Sequence, residues 1–255
     1  MACSGRAAWA LIACFCVAVA ASARAAPAEV PDGLKLCRQD DNLDACIKDA
    51  VTAAFPVVAD GLPTLSIPSI DPLDIKNLVI GQGSGPVKIN LEFYDCQLLG
   101  LKDAYMESIH ADLENFKITG RVKFNGPIRI RGPYKIQGSV LLLPINGDGQ
   151  TNITLNNLIA DIDIRGERIT KNGLEYVKID TFGLMLTVSH LQMHFTNLFN
   201  GDKALGDTMN NFLNENWSEI YRELNPAFEQ TLGAIFLQIT ARFFQKVPFD
   251  KVFLK

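Results

Sequence analysis

Few residues in this 255-residue chain have the types and spacing that chemistry requires. His190 and His194 lie four apart, but Leu191 stands where the H-E-x-x-H zinc protease motif needs Glu. On a strand the even spacing puts both on one face, which a metal could use. No third ligand follows nearby, so a solvated strand face is the better account and no metal site is expected. Gly81-Gln82-Gly83-Ser84-Gly85-Pro86 begins like a nucleotide loop, yet it completes no G-x-G-x-x-G and Pro86 removes a backbone donor, which favours a hairpin loop. Asp161 and Asp163 share a face with Arg165 and could suggest paired carboxylates for acid–base work. Their alternation with Ile162 and Ile164 instead marks a solvated strand face. A G-x-S-x-G nucleophile elbow is absent. No catalytic residue, metal or cofactor is therefore assigned, and the chain is not expected to be an enzyme.

The N-terminus sets the compartment. Arg6 precedes a run of small and apolar residues from Ala7 to Ala21, followed by Ser22-Ala23-Arg24-Ala25, the layout of a secretory signal peptide. That run is shorter than the roughly 20 residues that a membrane-spanning helix needs. Cleavage is expected after Ala25, with Ala23 as the alternative, leaving one secreted, extracellular domain over residues 26–255 and no stable membrane insertion. Removing residues 1–25 takes Arg6 and Arg24 and no acidic residue, so 22 basic face 28 acidic residues and the net charge is −6. Scattered basic residues on an acidic chain argue against nucleic acid as a partner. Of the six cysteines, Cys37, Cys46 and Cys96 survive. An oxidising route favours pairing the neighbours Cys37 and Cys46, with Cys96 left over.

The elements follow from periodicity. Asn42 to Ala59 reads as a helix with Ile47, Val51, Ala54, Phe55 and Val58 on one face, kinked or ended near Phe55 by Pro56. Three prolines between Gly61 and Leu73 impose an extended connector. From Ile75 to about Phe199 the period is two, as in Val87, Ile89, Leu91 and Phe93 alternating with polar residues. Turn residues break this stretch at Gly81 to Pro86, Asn125-Gly126-Pro127, Gly132-Pro133, Asn146 to Gly149 and Lys171-Asn172-Gly173. A long antiparallel meander results, with one face to be covered. A helical stripe runs from Leu205 to Leu224, and Pro226 is expected to open a second helix, apolar around most of its circumference, to near Pro248.

Taken together, the Cys37…Cys46 pair, the proline-rich Gly61 to Leu73 segment, Tyr134 to Gly149, Gly201 to Gly206, Asn211 to Trp217 and Pro248-Phe249-Asp250 resemble the insect takeout and juvenile hormone-binding proteins, over nearly the whole mature chain. The resemblance implies an α+β fold in which a long C-terminal helix is wrapped by a highly curved antiparallel sheet, with a shorter N-terminal helix, around a hydrophobic tunnel. It also implies a Cys37–Cys46 disulfide. Lacking cysteines beyond Cys96, the chain is closer to the takeout branch than to the two-disulfide haemolymph carriers.

The function implied is a carrier for an elongated hydrophobic small molecule, a juvenile hormone-like terpenoid or a fatty-acyl compound, linked to circadian or feeding physiology. An unidentified receptor is a further candidate partner. The expected lining is Phe228, Leu232, Ile235, Phe236 and Ile239 on the helix with Ile109, Leu141, Leu143, Phe182 and Phe195 on strands, and Tyr134 as a polar tip. The alternative is a secreted interaction protein with a filled core, which close packing of large apolar residues would favour. A membrane-perturbing role is disfavoured by the net acidity. Of the sequons Asn152-Ile153-Thr154 and Asn216-Trp217-Ser218, Asn152 is the expected glycosylation site and Asn216 a structural residue.

Overall fold

A computed structural model describes residues 27–81 and 85–255. The expected signal peptide therefore lies outside the described residues, as does the tip of the Gly81–Pro86 loop. The chain begins with a short strand β1 (Cys37–Arg38) and helix α1 (Leu43–Val58), then strands β2 (Leu73–Ile80), β3 (Val87–Leu99), β4 (Ala104–Asp112), β5 (Lys117–Phe124), β6 (Ile128–Val140), β7 (Leu143–Asn156), β8 (Ile159–Lys171), β9 (Leu174–Thr187) and β10 (His190–Phe195). Helices α2 (Lys203–Glu215), α3 (Trp217–Lys246) and α4 (Phe249–Val252) and strand β11 (Phe253–Leu254) complete it. The α+β class, the long C-terminal helix and the antiparallel sheet agree with the sequence.

The period of two decides which side of each strand is buried. In β3, Val87, Ile89, Leu91 and Phe93 are buried while Lys88 and Asn90 are exposed. A bulge then shifts the pairing with β6 between Phe93 and Gln97, with Asp95 left-handed at φ 41°. The shift returns Cys96 and Leu98 to the buried face. The meander divides into two antiparallel sheets, one ordered β10-β7-β6-β3-β2 and one β4-β5-β8-β9. A third, parallel pair, β1 with β11, ties the two ends of the described chain.

Two of the expected turns are strand interior. Gly132-Pro133 lies within β6, and Asn146 to Gly149 within β7. Their glycines serve close approach rather than chain reversal. A Cβ on Gly132 would come 2.7 Å from the Cys96 Cα, and one on Gly147 would come 2.5 Å from the Tyr134 hydroxyl. The reversal between β6 and β7 falls instead at Leu141-Leu142, both with positive φ (48° and 76°). That is the conformation a two-residue hairpin demands and one that Asn-Gly adopts with less strain. The turns at Asn125 to Pro127 and at Lys171 to Gly173 fall where the sequence puts them.

The helices differ in their ends. α1 continues through Pro56 to Val58, so of the kink or end expected near Phe55 the end does not occur. Proline so near a C-terminus removes one N–H from the last turn only. Likewise Pro226 does not begin a helix: it lies inside α3, and the break between α2 and α3 falls at Asn216, whose Nδ2 and N–H both donate to the Phe212 carbonyl. Asn216 is thus a helix-junction residue. α3 has 30 residues. At a rise of about 1.5 Å per residue it is about 45 Å long, enough to run the length of the sheets. It lies close on β9, where a Cβ at Gly233 would meet the Phe182 carbonyl at 3.0 Å.

Free strand edges are closed by side chains. Asn210 and Asn214, one turn apart on α2, act as a false strand beside β10. Their Oδ1 atoms accept from the N–H groups of Phe195 (2.9 Å) and Met193 (2.8 Å). Their Nδ2 groups donate to the carbonyls of the same two residues (2.9 and 2.7 Å). Residues four apart on a helix meet residues two apart on a strand because both spacings are about 6 Å. At the other end of the chain a Cys37–Cys46 disulfide fastens β1 to α1.

Candidate functional site: an apolar cavity along the long helix

The polar candidates are not brought together into a reactive site. His190 is half-buried with its ring 5.1 Å from Trp217, and His194 is exposed. Asp161 accepts from Arg121 at 2.7 Å, and Asp163 from Arg165 at 2.9 Å. The Arg165 guanidinium holds the Asp163 carboxyl below the usual carboxylate range. These are solvated ion pairs on the outer face of β5 and β8. Among the described residues no cluster of three potential metal ligands occurs. Asn152 is exposed, within β7 rather than at a turn.

The candidate site is a cavity of about 460 Å³ between α3 and the inner faces of both sheets. Its size falls within the range of roughly 300–1,000 Å³ typical of small-molecule sites. α3 supplies one wall: Ile220, Leu224, Phe228, Leu232 and Phe236 follow one another at four-residue steps, then Ile239 and Phe243. Because each step of four over-rotates the helix, the step of three at Ile239 brings the stripe back to the same side. From Ile220 to Phe244 the wall extends for about 36 Å at the helical rise, so the space is elongated. Strand residues such as Ile89, Ile130 and Ile153 form the opposite wall, and Val51 and Phe55 of α1 close one flank. Val30 and Leu34 of the N-terminal lead border the cavity and, like Ile239 and Phe243, pack against the buried cluster of Leu62, Leu65, Ile67 and Val247.

Ile109, Phe182, Phe195, Phe228, Leu232, Phe236 and Ile239 all border this space, with the Phe182 and Phe236 rings 5.8 Å apart. Four other expected lining residues stand elsewhere. Ile235 packs into the core on a neighbouring face of α3. Leu141 forms the β6–β7 turn, and Leu143, 43 % exposed, lies just beyond it. Tyr134 is fully buried, but its hydroxyl donates to the Thr196 carbonyl at 2.7 Å and its ring packs edge-on against Phe195 at 4.7 Å. Burial pushes that hydroxyl's pKa up, and the phenol stays protonated as a strut. Cys96, a free thiol, is likewise buried off the cavity, and burial raises its pKa to about 11.

Sequence reasoning missed the polar part of the wall. Tyr221 and Asn225, one turn apart on α3, border the cavity beside Leu186 of β9. The Tyr221 hydroxyl donates to the Leu186 carbonyl at 2.8 Å. Burial, with the nearby Glu229 charge adding to it, pushes that hydroxyl up to about 12. Asn225 Nδ2 donates to Glu229 Oε1 at 2.8 Å and to the Leu186 carbonyl at 3.3 Å, while the Leu186 N–H donates to Glu229 Oε1 at 2.6 Å. Polar residues spaced by four on an otherwise apolar helix were the available signal.

One long helix laid against curved antiparallel sheets around an elongated, almost wholly apolar cavity defines a binding architecture. The family described as haemolymph juvenile hormone binding protein (JHBP) matches residues 11–254, and the chain belongs to that family. The circadian clock-controlled protein daywake of Drosophila melanogaster is 25 % identical over 233 residues, with 88 % of each chain covered. Its counterpart from Drosophila yakuba is 22 % identical over 231 residues, again with 88 % of each covered. Among solved structures, takeout 1 of Epiphyas postvittana superposes with a TM-score of 0.77 at 29 % identity, over 87 % of this chain and all of that one. The fold is thus the takeout fold.

Proposed function

We propose that this chain is a secreted carrier that holds one elongated apolar molecule in the cavity along α3. The observation that carries the reading is the cavity itself. A sheet-and-helix core with a filled centre would bring large side chains into contact there. Instead, about 460 Å³ stays open between apolar walls. Family membership supports binding rather than catalysis; the family's description supports a juvenile hormone-like terpenoid as the ligand, and the elongated apolar cavity suits a fatty-acyl compound as well. The daywake relatives support a link to circadian physiology. The N-terminal residue pattern, together with the disulfide, supports secretion after cleavage near Ala25. Among the described residues no helix is long and apolar enough to cross a membrane.

Affinity comes from burial. Each methylene removed from water contributes about 0.8 kcal/mol, so a chain of about ten carbons gains about 8 kcal/mol before the cost of association is subtracted, and affinity rises with each further carbon. Native mass spectrometry of secreted protein, before and after organic extraction, tests the reading. A small apolar mass lost on extraction and restored on reloading is the expected result; protein that never carries or takes up such a mass would overturn it.

A further inference from the structure

The cavity wall is not uniformly apolar, and its polar patch has a one-sided hydrogen-bond inventory. Tyr221 and Asn225 both border the cavity. The single hydroxyl proton of Tyr221 is committed to the Leu186 carbonyl, and the Asn225 amide protons to Glu229 and that same carbonyl. The Leu186 N–H is committed to Glu229. What remains is acceptor capacity: the lone pairs of the Tyr221 oxygen, and the Asn225 Oδ1, which is buried with no hydrogen-bond partner among the described residues.

The amide cannot resolve this by turning over. Exchanging its nitrogen and oxygen would set a carbonyl oxygen against the Glu229 carboxylate at 2.8 Å and the Leu186 carbonyl at 3.3 Å. Two acceptors would then face a third. The orientation is fixed by its neighbours, and an unpaired acceptor is left beside an apolar space. Buried polar groups in native proteins are almost always paired, so an orphan at a cavity wall points to what fills the cavity.

Resting on the carrier reading, we infer that the ligand bears a hydrogen-bond donor, a hydroxyl group, which it presents to Asn225 Oδ1 with Tyr221 as the adjoining acceptor. A ligand whose only polar atoms are ester, ether or epoxide oxygens brings further acceptors to a patch with no donor left to give. A neutral hydroxyl suits the site better than an ammonium, because a charge carried into so apolar a wall is penalised far more heavily. The polar patch therefore selects among apolar chains of equal length, while the rest of the wall supplies affinity.

A matched pair of ligands isolates the donor. Purified protein loaded with the fluorophore diphenylhexatriene is titrated with 1-dodecanol and with its isomer undecyl methyl ether, which have the same number of carbons and one oxygen and differ in that only the alcohol carries an O–H. Displacement by the alcohol should occur at a concentration lower by about three- to tenfold, the effect of one neutral hydrogen bond. In Asn225→Leu the two should become equal, with ether affinity retained. Equal affinity in the wild-type protein, as an ordered water satisfying Asn225 would give, overturns the inference, as does a preference that survives in Asn225→Leu. The wild-type comparison decides the matter even if that variant folds poorly. Should neither compound displace the fluorophore, the carrier reading itself falls and this inference with it.

Discussion

Replacing Leu232 by Trp is expected to fill part of the cavity and to weaken ligand uptake by about two orders of magnitude while the fold persists. Leu232 is buried on α3, one turn from Phe228 and one from Phe236, and borders the open space. An indole projecting there takes room from the ligand. Displacing three or four methylenes at about 0.8 kcal/mol each removes roughly 2.4–3.2 kcal/mol, which is about 50- to 200-fold in Kd. In a close-packed core the same enlargement would instead strain its neighbours and cost about 1–3 kcal/mol of stability. Thermal melting and displacement of diphenylhexatriene by dodecanol, measured on the same sample, separate the two. Ile235→Trp is the control, because Ile235 packs into the core away from the cavity and should leave uptake near wild type. Unchanged binding in Leu232→Trp, or an equal loss in Ile235→Trp, would refute the placement of the ligand along this stripe.

Four further outcomes follow from contacts in the fold. Cys46→Ser should lower stability by about 2–3 kcal/mol through the freed loop between Cys37 and Cys46, as measured by chemical denaturation. Peptide mapping without reduction should find Cys96 as the free thiol. Asn214→Ala leaves the Met193 N–H and carbonyl without their side-chain partners, so a loss of about 1–3 kcal/mol is expected, with faster hydrogen exchange at Met193 than at Leu155 on the neighbouring strand. Alkaline titration should destabilise the protein above about pH 10, where unfolded tyrosine ionises. Tyr221 keeps its proton to about 12 in the folded state. Its contribution is therefore complete below about pH 10 and lost as the pH rises through that window. Tyr221→Phe should flatten the slope seen by circular dichroism.

Sequence alone determined the layers and most of the elements. A period of two from Val87 to Phe93 can be satisfied only by a strand with one wet and one dry face. A helix as apolar as the stretch from Phe228 to Phe244 must lie inside something. The nearness of Cys37 and Cys46 was likewise enough to pair them in an oxidising compartment. Periodicity names the dry face, however, and not what stands opposite it. Phe228 and Leu232 border a cavity while Ile235, on the same helix and just as apolar, packs into the core; only the placement of the sheets distinguishes them.

Glycine is ambiguous in a different way. Gly132, Gly147 and Gly149 resemble turn residues in a sequence because a need for small size and a need for positive φ both select glycine. The strands brought Cys96, Tyr134 and Thr196 against them and made size the reason, joined at Gly132 by a φ of 151°, while the sharp turn went to Leu141 and Leu142, which no propensity would nominate. Tyr134 carried a polar group that looked free for a ligand until the Thr196 carbonyl took it. For Tyr221 and Asn225 the partners come from β9, which lies beside them only in the folded chain. Hydrogen-bond partners distant in sequence are set by packing, so the polar chemistry of the cavity was decided by tertiary structure and its apolar character by composition.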